Sequence, residues 1–246
     1  MRLAILTDIH ANREAFEAVL ADLTLRKPDR IVFLGDLVGY GPDPGWCVDK
    51  VAALVAQGAL AVRGNHDRAV GVADGALNAN ARRVIDWTVN RLTAPQKLFL
   101  EDLPLTATEG DVLFVHASAN DPQDWIYVTG EAKAMPSFRV SDARVILVGH
   151  VHRPQLYSCD LTGRVMGHPV VQGQAVPLIR SRRWLAVVGS VGQPRDGAAL
   201  AGYAMLDTDK NELTFRRVPY DAATTARKVR AAGLPEALAS RLIKGE

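Results

Sequence analysis

The chain has 246 residues, 48% hydrophobic and 23% charged, an ordinary globular composition that leaves room for one large α/β unit. A formal net charge of +2 gives no overall basic field, so neither nucleic acid nor an acidic membrane surface is the expected partner. Apolar runs are short and soon broken by Asp, Arg or Gly, so no membrane span is expected, and the N-terminus has no leader-like stretch. The two cysteines, Cys47 and Cys159, fit no zinc or redox spacing, which makes a reduced cytoplasmic setting the simpler reading.

In chain order the sequence repeats one pattern: a short β-rich apolar run that ends abruptly in Gly, Asp, Asn or His. Residues 3–6 lead to Asp8 and His10. A helix follows over 12–26, where Phe16, Val19, Leu20 and Leu23 share a face. Residues 31–34 lead to Gly35-Asp36, and a second helix over 44–56 carries Pro44 in its first turn. Residues 60–62 lead to Gly64-Asn65-His66-Asp67. This βαβαβ opening implies parallel strands with right-handed crossovers.

An insert over 68–103 comes next, with Leu77, Ala81, Val84, Ile85, Thr88, Val89 and Leu92 on one helical face and Asn78 as its cap. A shorter helix is expected over 95–100. The insert begins beside His66, so it either roofs a site there or packs on the sheet. Residues 112–115 then lead to His116. Residues 124–139 read as an irregular loop whose Trp125, Tyr127, Met135 and Phe138 either stack a nucleobase or are buried. Residues 145–148 lead to Gly149-His150-Val151-His152. Strands near 155–159, 175–180, 184–189, 201–207 and 211–218 are expected to form a second sheet. Residues 222–244 read as one closing helix with a solvated basic face.

Five of the six histidines thus stand at strand ends, interleaved with Asp8, Asp36 and Asn65; only His168 does not. Open α/β sheets gather ligands outside the carboxyl ends of their strands. One histidine there is usually structural, but five at equivalent positions beside two carboxylates make a metal-binding pattern.

The blocks Asp8-Ile9-His10, Gly35-Asp36, Gly64-Asn65-His66-Asp67, His116 and Gly149-His150-Val151-His152 resemble the calcineurin-like metallophosphoesterases in order and spacing. Gly39-Tyr40-Gly41-Pro42 and Gly189-Ser190-Val191-Gly192-Gln193-Pro194-Arg195 resemble the small bacterial phosphodiesterase and phosphatase branch. The resemblance implies a four-layer α/β/β/α sandwich of two mixed sheets, a single domain over 1–246. It implies two divalent cations, manganese foremost with iron, nickel or zinc as alternatives, since all donors are oxygen or nitrogen. On the family pattern Asp8, His10 and His152 hold one ion, Asn65, His116 and His150 the other, and Asp36 bridges. Asn65 is also a candidate substrate contact. A hydroxide shared by the ions, roughly 3.5–4 Å apart, attacks phosphorus. His66 is the candidate catalytic proton donor, and Asp67 either orients it or caps the next helix.

The protein serine/threonine phosphatases carry Asp-Arg-Gly where this chain has Gly39-Tyr40-Gly41, which weighs against a phosphoprotein substrate. Arg195 is the candidate replacement grip on phosphate, unless it merely pairs with Asp196 in a turn. Tyr40 either lines the pocket or packs on the following helix. The expected function is hydrolysis of small phosphomonoesters or phosphodiesters, nucleotide-derived ones among them. The alternatives are a non-catalytic metal-binding scaffold and a phosphoprotein phosphatase; retention of His66 favours an enzyme.

Overall fold

Each motif strand is a short unbroken apolar run because both of its faces are covered. The computed structural model describes residues 1–72 and 79–246. In chain order its first half runs β1 (Arg2–Leu6), α1 (Arg13–Arg26), β2 (Arg30–Phe33), α2 (Pro44–Ala56), β3 (Leu60–Ala61), α3 (Asn65–Ala69), α4 (Ala79–Val89), α5 (Ala94–Asp102), β4 (Thr106–Glu109) and β5 (Val112–Val115). The second half runs α6 (Glu131–Val140), β6 (Val145–Val148), β7 (Gln155–Cys159), β8 (Val165–His168), β9 (Ala175–Pro177), β10 (Arg183–Val187), β11 (Leu200–Asp207), β12 (Glu212–Pro219), α7 (Ala222–Ala231) and α8 (Glu236–Lys244).

Two six-stranded mixed sheets result, with strand orders β3-β2-β1-β11-β12-β9 and β4-β5-β6-β10-β7-β8. The two-residue period of a strand sorts the side chains into layers. Leu3 and Ile5 of β1 join Val32, Phe114, Val145, Leu147 and Ala186 in the core between the sheets. Ala4 and Leu6 point the other way, onto Phe16, Val19, Leu23, Cys47 and Val51 of α1 and α2. On the far side Ile146, Val148, Leu185 and Val187 meet Ala134 and Phe138 of α6. The result is the expected four-layer sandwich. Each fully buried Phe or Leu in these layers contributes about 1.5–3 kcal/mol relative to an exposed one.

The parallel β1–β2 and β2–β3 pairs agree with the expected opening. The strands after His152 do not form one second sheet. β11 runs antiparallel beside β1, with Leu3 opposite Leu206, so β11, β12 and β9 complete the first sheet. β7, β8 and β10 join β5 and β6 in the other. Local periodicity marks a strand but not its partner, and so the two groups were not separable in the sequence.

Two other expectations change. Residues 131–140 are helical, with Ala134 and Phe138 buried, so this part of the expected loop is α6. The closing helix is a pair, α7 and α8, divided where Gly233 takes φ +69° and Pro235 caps the next helix. Its basic face is not merely solvated: Lys228 donates to Glu14 Oε1 at 2.6 Å and Asp43 Oδ2 at 2.7 Å, tying α7 to the starts of α1 and α2. Leu77 and Asn78 lie outside the described residues. Val84 of α4 packs with Val229, Leu238 and Leu242 of the closing pair, so this part of the insert is held by other helices. No helix among the described residues is long and apolar enough to cross a membrane.

Candidate metal centre

The site is built where loops from both sheets are laced together beyond their strand ends. From the first sheet, Asp8 N donates to Gly35 O at 3.0 Å and His10 N to Asp36 O at 2.9 Å, which sets the loops after β1 and β2 side by side. On the other flank Val191 N and Gly192 N donate to Thr7 O and Asp8 O at 3.0 and 2.9 Å, bringing in the loop after β10. The second sheet supplies His116 and the turn Gly149-His150, joined by Gly149 N donating to His116 O at 2.8 Å. Gly149 has no substitute here, since a Cβ on it would lie 2.0 Å from Thr7 Oγ1 and 2.7 Å from Asp8 Oδ2.

Asp8, His10, Asp36, His150 and His152 all hold left-handed backbones, with φ between 49° and 66°, as do Ala11 at 50° and Tyr40 at 62°. Each such non-glycine residue costs of order 1–3 kcal/mol and persists only when its surroundings over-determine it. The concentration at this one place identifies a preorganised site.

The side chains converge accordingly. Asp8, His10 and His152 form one group with potential ligand atoms within 4.8 Å of one another, and Asp36, His116 and His150 form another. Asp36 Oδ2 faces both, 3.7 Å from His10 Nε2 and 3.4 Å from His116 Nε2. Asn65 Oδ1 lies 3.1 Å from His116 Nε2. A third group joins His10, Asp36 and His66, so His66 is itself within ligand reach. All seven expected ligands are therefore in one cluster, and His168, on β8, is remote from it and bonded to Ser158 on β7.

The chemistry of the donors tests whether cations fit. His10 Nδ1 lies 3.1 Å from Val38 O, His116 Nδ1 2.7 Å from Leu34 O, and His152 Nδ1 2.7 Å from Gln193 O. A carbonyl only accepts, so these Nδ1 atoms carry protons, and Nε2 of each ring, bare whenever the ring is neutral, points inward. These inward nitrogens meet ring nitrogens of neighbouring histidines: His10 Nε2 lies 3.1 Å from His152 Nε2, both rings having their Nδ1 proton engaged elsewhere, and His116 Nε2 lies 3.2 Å from His150 Nδ1. Asp8 Oδ1 is buried without a hydrogen-bond partner. Acceptors directed at acceptors require a proton or a metal ion between them, and nitrogen and oxygen donors without thiolate suit divalent cations. The residues fit.

Without an ion, protons answer part of the need. Burial works against a charged His116, but the Asp36 carboxylate outweighs it and pushes the imidazole up to about 9. Burial pushes His66 down to about 3, with Asp36 opposing and the other imidazoles assisting, so this ring rests neutral.

Asn65, His66 and Asp67 do not lie on an extended backbone; they form the first turn of α3. Asp67 caps that same helix rather than the next, accepting from Gly64 N at 2.9 Å, and also takes Leu37 N at 2.9 Å and Val38 N at 3.3 Å. Burial and the neighbouring Asp36 push its carboxyl up to about 6 despite these donors. Tyr40 lines the site, its ring centroid 4.5 Å from that of His10 and 4.4 Å from that of His66, although it also touches the helices of the closing pair. Arg195 sits on the same rim, its guanidinium 5.9 Å from the Tyr40 ring centroid, with Nη2 donating to Gln193 Oε1 at 2.8 Å. Asp196 is engaged elsewhere, with Arg217.

Sequence reasoning missed Gln193, whose carbonyl orients His152 while its side chain holds Arg195. It also missed Asn12, which caps α1 through Ala15 N at 3.1 Å and donates to Gly192 O at 2.7 Å. Both stand beside recognised motif residues, which is the signal that was present. The last residue of note is Tyr127, stacked on His150 with centroids 4.0 Å apart and an interplanar angle of 21°.

A four-layer sandwich with this donor set at its strand ends defines a class of metal-dependent phosphoester hydrolase. A family model described as the calcineurin-like phosphoesterase superfamily domain matches residues 1–211, and the chain belongs to that superfamily. It is similar to an uncharacterized protein, MJ0912, of Methanocaldococcus jannaschii, at 34% identity over 249 residues covering 99% of this chain and 98% of that protein. Among solved structures, the metallophosphoesterase from Sphaerobacter thermophilus superposes with a TM-score of 0.88 at 38% identity, covering 100% of this chain and 99% of that one. The hypothetical protein PH1004 from Pyrococcus horikoshii OT3 gives a TM-score of 0.81 at 19% identity, over 100% and 98% of the two chains, a likeness of fold.

Proposed function

We propose that the chain hydrolyses small phosphomonoesters or phosphodiesters at a centre of two divalent cations, manganese foremost. Asp8, His10 and His152 would hold one ion and Asn65, His116 and His150 the other, with Asp36 shared. The observation that carries this reading is the convergence of His10 Nε2 on His152 Nε2 and of His116 Nε2 on His150 Nδ1, beside the buried and unpartnered Asp8 Oδ1. Such ions acidify water to a nucleophile near neutral pH and neutralise charge on phosphoryl oxygens.

The remaining roles belong to the chain. Buried carbonyls at Val38, Leu34 and Gln193 lock the ligand rings so that no reorganisation is needed when substrate arrives. His66, neutral at rest, gains basicity from an incoming phosphate anion and can then return its proton to the leaving alkoxide. Arg195, held by Gln193 above Tyr40, grips a non-bridging phosphate oxygen through its planar fork. Asn65, whose Oδ1 lies 3.1 Å from His116 Nε2, would touch the same phosphate.

The test is hydrolysis of p-nitrophenyl phosphate and bis-p-nitrophenyl phosphate by protein stripped with chelator and then reloaded with manganese, iron, nickel or zinc. Activity should appear only on reloading. Arg195→Lys should raise KM with metal content unchanged. A loaded protein inert toward both esters would leave a metal-binding scaffold.

A further inference from the structure

Tyr127 is placed as no packing residue would be. Its ring lies flat on His150, yet half of its surface is open, at 50% exposure. The segment carrying it is firmly anchored. Val128 is 1% exposed in the layer with Ala134 and Phe138, and Ala119 N donates to Ser137 Oγ at 3.0 Å. Trp125, two residues earlier, sits with its ring 5.9 Å from that of His116. The ligand cluster is thus walled on one flank by aromatic rings on a fixed support, with one ring left half uncovered at the mouth.

We infer that the open face of Tyr127 is a stacking platform for a planar base carried by the alcohol part of the substrate, so that the ester cleaved is that of a nucleoside. This rests on the phosphoester-hydrolase reading above. The length of the linkage decides between kinds of aromatic ester. A ring joined directly to the phosphate oxygen would sit inside the histidine cluster, whereas Tyr127 stands one ring thickness outside it. A group on its outer face needs a spacer between ring and phosphate, and a ribose is such a spacer. Stacking is tolerant of base identity because every base has a π-face, so the platform selects for a base and not among bases.

The test compares kcat/KM for adenosine 5′-monophosphate and ribose 5-phosphate in the manganese-loaded protein. Both release a primary alkoxide, so leaving-group chemistry cancels; if only diesters are cut, the methyl esters of the same pair are used. The nucleotide should be favoured about tenfold or more, as expected for one stacked base. Tyr127→Ala should bring the ratio close to one, and Tyr127→Phe should preserve it, since the ring and not the hydroxyl carries the effect. Metal content is measured in each variant because Tyr127 touches His150. A ratio near one in the unaltered protein, a ratio that survives Tyr127→Ala, or one lost in Tyr127→Phe would overturn the inference while leaving the hydrolase reading intact. Failure to cleave any phosphoester, the p-nitrophenyl esters included, overturns both.

Discussion

At the scale of single residues, the site rests on groups that are uncomfortable by themselves. His66 shows this best. Its ring is buried, and its Nδ1 has no hydrogen-bond partner. A Cβ on Gly39 would come within 2.4 Å of that nitrogen, so the glycine at φ +88° is what admits the ring. A histidine kept neutral by burial and free at one nitrogen is suited to taking up a proton when a phosphate anion enters and releasing it as the ester breaks. His66→Ala should therefore lower turnover about 10²–10⁴-fold. Metal content, measured by plasma emission, should stay as in the parent. Loss of one equivalent of metal in this variant would instead make His66 a ligand, as its place beside His10 and Asp36 permits.

At the scale of elements, the short helix α3 does more than carry two site residues. Its Asp67 reaches across to the backbone of Leu37 and Val38, and the carbonyl of Val38 in turn fixes the ring of His10. One carboxylate thus couples the third motif to the first. Asp67→Asn keeps the shape but turns an amide N–H₂ toward backbone donors, leaving buried groups unsatisfied. We expect a loss of about 1–3 kcal/mol in urea unfolding and weaker metal retention at the His10 side; a variant with unaltered midpoint and metal content would show that this coupling is idle.

The same elements show what the sequence made legible. The five strand-end blocks were readable because Gly, Asp, Asn and His interrupt apolar runs at the points where the chain must turn sharply, and both helices of the opening followed from their apolar spacing. The α6 helix was not, because Pro136 lies inside it and breaks the expected pattern, although tertiary packing of Ala134 and Phe138 overrides that local cost. The location of Tyr40 and Tyr127 was open for a different reason. An aromatic residue reads alike whether it is buried or lines a mouth, and only the fold decides.

For the whole molecule, stability, proton binding and cation binding are linked through His116. Its imidazole is raised from 6.5 to about 9 in the metal-free fold. A raised folded pKa contributes stability fully below the unfolded value, and that contribution is lost as pH rises through the folded one. The stripped protein should therefore lose thermal stability between about pH 6.5 and 9. A cation takes the place of that proton, so the loaded protein should lack this decline, and metal affinity should increase over the same interval. Calorimetric melting of stripped and loaded protein at several pH values checks both signs; parallel curves for the two forms would break the linkage.

The placement of β1 has a consequence for the history of each molecule. β1 precedes the other eleven strands described in this chain yet lies inside its sheet, paired on one side with β11, and the loop that follows it is laced to Gly192. On a ribosome, Asp8 and His10 emerge long before His150, His152 and Gly192, which complete their surroundings. Loop closure over such a separation is slow relative to local helix formation. Assembly of the site accordingly waits on distant segments, and a product ending before Gly192 would carry the first motif without the loop that braces it.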